Sequence, residues 1–146
     1  MSRPPAPPRL ATTSTTSSTP WSRRCSTPWS QRFTATARHL VIVLQPWVHA
    51  RNVMPFSAAF DWRPETGTQV LVIYKDDLSR RRVYEMPALG FFHMGDAWEE
   101  TDGTLRFDLC VHKDMDFAAR GAQQVLNGVP LGGEAAELAM AVLAPT

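Results

Sequence analysis

No aspartate or glutamate occurs before Asp61, although the first thirty residues carry four arginines. The chain as a whole has a formal net charge of only +1, so it has no global attraction to nucleic acid or to an acidic membrane surface. Cysteine is almost absent: Cys25 and Cys110 are the only two in 146 residues. Without CxxC spacing they supply neither a disulfide framework nor a zinc site, and a reducing, cytoplasmic setting is the expectation. Long apolar runs are missing too. Leu40-Val41-Ile42-Val43-Leu44 falls far short of the ~20 residues that span a bilayer, so no transmembrane segment is expected.

What is present divides the chain in two. Residues 1–30 are dominated by Pro, Ser and Thr, as in Arg3-Pro4-Pro5-Ala6-Pro7-Pro8 and in Thr12 to Ser18. Proline removes backbone donors and the short polar side chains bury little apolar surface, so this stretch does not read as folded. Ser18-Thr19-Pro20-Trp21-Ser22 recurs as Ser26-Thr27-Pro28-Trp29-Ser30, a mark of low complexity. Three readings stay open for it: a disordered tail, an organelle transit peptide, or a non-native stretch from a shifted reading frame. A secretory signal is excluded by the lack of an apolar core region.

Residues 31–146 have the texture of short strands and turns. Leu40 to Leu44 reads as a strand buried on both faces and ended by Pro46. Gln69 to Tyr74 is a second run, Lys75 to Arg80 a hairpin loop, and Arg82 to Met86 the returning strand. Leu89 to Phe92 leads into His93. Leu105 to His112 alternates strictly, with Leu105, Phe107, Leu109 and Val111 on one face and His112 on the other, more polar one. The turn Thr101-Asp102-Gly103-Thr104 joins these two strands. Asp116 to Leu126 predicts one helix stopped by Asn127-Gly128, and Leu138 to Leu143 a last strand. About six strands separated by regular turns make an all-β sandwich, barrel or propeller. Ending at Pro145-Thr146 directly after a strand, the chain is expected to leave sheet edges open.

One stretch carries chemistry: Phe92-His93-Met94-Gly95-Asp96-Ala97-Trp98-Glu99-Glu100. It resembles the iron-ligand motif Phe-His-x-x-Asn-Ala-(Trp/Tyr/Phe)-Glu-(Glu/Asp) of the carotenoid oxygenase family, with Asp96 in place of Asn. Phe107-Asp108-Leu109 matches the hydrophobic-Asp-hydrophobic step that follows in that family. Trp62-Arg63-Pro64-Glu65-Thr66-Gly67-Thr68 looks like its Trp-x-Pro-x-x-Gly-Thr segment, and Phe33-Thr34-Ala35-Thr36 like the end of its His-Asp-Phe-x-x-Thr motif. The resemblance covers most of residues 31–146.

That resemblance implies a partial β-propeller, about two blades of a seven-bladed one. It also implies Fe(II) held by four histidines from different blades, an apolar substrate, and cleavage of its carbon–carbon double bond with O2. Only His93 matches a ligand position. Gln31-Arg32-Phe33 stands where His-Asp-Phe should open the preceding ligand motif, and a Gln amide is a poor substitute for imidazole. The chain alone is therefore expected not to bind iron, and an inactive all-β remnant or interaction module is the competing function.

The other candidates read as structural. His39, His49 and His112 match no ligand position. Glu99 and Glu100, adjacent on a strand, point to opposite faces and form no paired-carboxylate site. Phe92 and Trp98 read as packing between blades, and Arg80-Arg81-Arg82 as a solvated turn.

Overall fold

A computed structural model describes residues 9–10, 13–14, 29–130 and 135–145. The rest of residues 1–28, Cys25 included, lies outside the described residues, and with it most of the low-complexity segment. Two two-residue strands come from that segment, β1 (Arg9–Leu10) and β2 (Thr13–Ser14). The remaining strands are β3 (Trp29–Ala35), β4 (His39–His49), β5 (Phe60–Trp62), β6 (Thr68–Tyr74), β7 (Arg81–Met86), β8 (Gly90–Glu99), β9 (Leu105–His112) and β10 (Glu137–Leu143). One helix, α1 (Asp116–Leu126), crosses between β9 and β10.

The strands form two sheets. In the first, β3, β4, β6 and β7 make an antiparallel meander, with β2 at the outer edge and β5 paired to β4. In the second, β8, β9 and β10 form another meander, with β1 parallel to β10. Each meander starts with a terminal strand, β3 or β8, and steps outward from it. This is the build of two consecutive propeller blades, whose first strands lie innermost.

The sheets pack face to face around one core. Val41 and Val43, Val70 and Val72, Tyr84 and Met86 from the first meet Phe91, Phe107, Leu109, Ala141 and Leu143 from the second. Each large buried side chain contributes about 1.5–3 kcal/mol by leaving water. The alternation of β9 is realised as read: Leu105, Phe107 and Leu109 are buried, while Arg106, Asp108 and Cys110 on the opposite face are half-buried. The helix too has the expected limits. Gly128 at φ 68° turns the chain after it, and the Gly128 N–H donates to the carbonyl of Val125.

Three expectations are corrected. Pro46 does not end its strand. β4 runs on to His49 because Pro46 sits at a bulge in the β3 pairing, between Gln45 opposite Ser30 and Val48 opposite Trp29. There β4 also exchanges β6 for β5, so the missing N–H breaks no ladder bond. The Pro46 carbonyl accepts the N–H of Arg63 at 2.8 Å. Nor is β4 sealed on both faces: Val41 and Val43 are fully buried, whereas Leu40 and Ile42, facing away from the second sheet, are half-buried. Finally, there are more than six strands: β1, β2 and β5 are too short to register as a pattern, and the seven-residue β3 begins inside the segment read as unfolded.

Candidate metal-ligand position on the innermost strands

β3 and β8 are the terminal strands of their sheets and lie side by side. Position 31 is on β3, opposite Leu44, and His93 is on β8, opposite Cys110. The two positions to which the family resemblance assigns iron ligands thus stand on the two adjacent innermost strands. The imidazole of His93 is exposed.

β8 reaches this arrangement by breaking its alternation twice. Phe91 pairs with Val111 and His93 with the adjacent Cys110, so Phe92 is an extra residue. Met94 pairs with Leu109 and Ala97 with Phe107, so Gly95 and Asp96 together face Asp108. Phe91, Met94 and Ala97 all face the core, three residues apart rather than two. Bulges of this kind re-aim side chains and bend the strand. The carbonyls they expose are met from β3, where Arg32 Nε donates to the Phe92 carbonyl at 3.1 Å and the Thr34 hydroxyl to the Gly95 carbonyl at 3.3 Å. Arg32 and Thr34, two apart on an extended strand, share a face.

The same phase shift decides the aromatic residues. Phe92 packs edge-on against Trp47 and Phe117, at centroid distances of 5.8 and 5.6 Å, as expected of a packing residue. Trp98, expected to pack between the sheets, is exposed and lies opposite Arg106, because the second bulge turns Ala97 rather than Trp98 inward. His112 stacks on Phe117 at 4.1 Å, and His49 packs edge-on against Phe60 at 5.3 Å. Arg80 is not simply solvated: its guanidinium lies 3.9 Å from the centre of the Tyr74 ring.

At the end of β8 the two glutamates part company. Glu100 accepts from Arg106 Nε at 2.8 Å. Glu99 turns to the other sheet, where Arg38 grips both its oxygens and Nδ1 of the buried His39 lies 3.3 Å away. The hydrogen bond from Arg38 holds the Glu99 carboxyl below the usual glutamate range; burial opposes that shift and His39 assists it. In return, the Arg38 guanidinium is pushed up by the same pair. These contacts tie the blades together at one end of β8.

His93 has, among the described residues, no companions able to complete a metal site. Among the described residues no three His, Cys, Asp or Glu side chains are placed to hold a metal ion. One exposed imidazole does not hold Fe(II) against water, so the donor set described does not fit iron on its own. Sequence reading missed Arg32, Thr34 and the Gly95–Asp108 pairing that shape this strand. The glycine inside a strand pattern was the available signal for a bulge.

No helix among the described residues is long and apolar enough to cross a membrane. No curated protein matches the chain. The family model described as retinal pigment epithelial membrane protein matches residues 8–137, a span that begins within the proline-rich segment and takes in both sheets through the first residue of β10. The chain is a member of that family, the carotenoid oxygenases.

Proposed function

We propose that this chain serves oxidative cleavage of a carbon–carbon double bond in a carotenoid, apocarotenoid or stilbene-like substrate, as two blades of a larger propeller in which His93 occupies one Fe(II)-ligand position. O2 is the co-substrate and two carbonyl compounds are the products. The observation that carries this reading is the placement of His93, exposed on the terminal strand of its sheet beside the terminal strand that bears position 31. Its partner is a small apolar molecule rather than a nucleic acid, in keeping with a net charge of +1. The setting is cytoplasmic, in keeping with the free Cys110. Residues 1–30 are low in complexity, although β1, β2 and the start of β3 come from them and the family match begins at residue 8, and residues 31–146 carry the catalytic-family motifs.

A second reading, an all-β remnant without bound metal, is favoured by one observation: Gln31-Arg32-Phe33 occupies the place of His-Asp-Phe. The two are separated by setting residues 29–143 in place of the matching blades of an active carotenoid oxygenase and measuring iron content and carbonyl products. With Gln31→His, that protein binds iron and cleaves, and His93→Ala abolishes both. In the chain itself His93→Ala changes stability by less than about 0.5 kcal/mol, because the side chain is exposed. Cleavage that survives His93→Ala would sink the ligand assignment. A folded hybrid that keeps Gln31 and holds no iron, with iron binding restored by Gln31→His, would establish the remnant.

A further inference from the structure

The second bulge of β8 is gripped from both sides. The Thr34 hydroxyl of β3 donates to the Gly95 carbonyl, and from β9 the Asp108 carboxylate fills the space a side chain at position 95 would take. A Cβ there would stand 2.8 Å from Asp108 Cγ and closer still to Oδ1. Oδ1 of Asp108 is sealed from solvent and, among the described residues, accepts no hydrogen bond. Position 96 is opposite Asp108 and is the place from which a side-chain donor could come. It is an aspartate, which when ionised accepts only, where the motif it resembles carries an amide.

We propose that Asp108 is a positioning residue for His93. Seated in the notch left by Gly95, its carboxylate fixes the bulge that sets where His93 points, and Asp96 leaves that bulge one donor short. The importance of this device rests on the reading of His93 as a ligand position; the device itself is a property of the strand and is tested without iron.

The full chain carries the test, read by urea unfolding and by NMR of the His93 imidazole and the backbone amides of residues 93–97. Asp96→Asn supplies the donor at an exposed position and raises the urea midpoint by roughly 0.5 M. It also moves the His93 ring signals and leaves those of His39 and His49 in place. Asp108→Asn supplies the donor from the other side and does the same, and the two together add nothing beyond either alone, since one donor suffices. Gly95→Ala drives the carboxylate from its seat and shifts His93, and adding Asp108→Ala relieves the midpoint loss. Two amide substitutions that add fully, or His93 signals unmoved in every variant, would overturn the proposal. If these signals move as described while iron binding in the hybrid does not depend on His93, the device stands and the ligand reading falls.

Discussion

β8 and β9 are neighbours paired along most of their lengths, yet they run on different periods. β9 alternates without interruption, and each of its inward positions from Leu105 to Leu109 fills the core between the sheets. β8 places Phe91, Met94 and Ala97 inward at intervals of three, and uses the extra residues to hold His93 out and to offer carbonyls to β3. The regular strand is organised for packing. The bulged strand gives up ladder bonds with β9 and replaces them with side-chain bonds from elsewhere. The comparison teaches that, within one sheet, departures from alternation mark the residues whose direction matters rather than their burial.

The largest test of that contrast is on the regular strand. Phe107 is fully buried in the middle of the core, and Phe107→Ala removes about 3–5 kcal/mol of stability, which for a domain of this size approaches loss of cooperative folding. Thermal or urea unfolding followed by tryptophan fluorescence reads it. A loss below ~1 kcal/mol would mean the sheets do not share the core described. A smaller effect is expected where β8 depends on outside bonds. The fully buried Gln45 accepts the Phe91 N–H through Oε1 at 2.9 Å, just ahead of the first bulge. Gln45→Leu keeps the volume but strips that N–H of its acceptor, at a cost of about 1–3 kcal/mol and with faster hydrogen exchange at Phe91. Unchanged exchange there would show that β8 does not rely on β4.

The smallest effect is at the end of β8, where Glu99 reaches Arg38. Because the folded carboxyl is held below its ordinary range, the pair adds stability above the unfolded glutamate value of about 4.3. That stability fades as pH falls through the depressed folded value. Urea midpoints measured from pH ~6 down to ~3 should fall less steeply in Glu99→Gln than in the parent chain. Parallel curves would indicate that the pair contributes nothing to holding the blades together.

Legibility followed the same division. β9 and α1 were readable to the residue, because an unbroken period of two or a helical run with a terminal Asn-Gly needs no partner to be recognised. β8 was readable only as far as its start. The exposure of Trp98 follows from the bulge at Gly95 and Asp96, and the passage of β4 through Pro46 from a bulge formed jointly with β3, and neither pairing is visible in one strand's sequence. His93 was found through its motif, whereas its neighbours Arg32 and Thr34 lie about sixty residues away in sequence and carry no local signal.

The sequence by itself determined that this is an all-β chain with a proline-rich beginning, that the runs of β4, β6 and β9 are apolar enough to enter a core, and that His93 lies in a stretch resembling a ligand motif while position 31 lacks the imidazole. Apolar periodicity and residue identity are local quantities, and they suffice for that much. Only the tertiary structure decided which way β8 faces at each residue. A bulge is a mismatch between two strands, and the carboxylate of Asp108, the notch at Gly95 and the hydroxyl of Thr34 acquire their meaning only when β3, β8 and β9 come together.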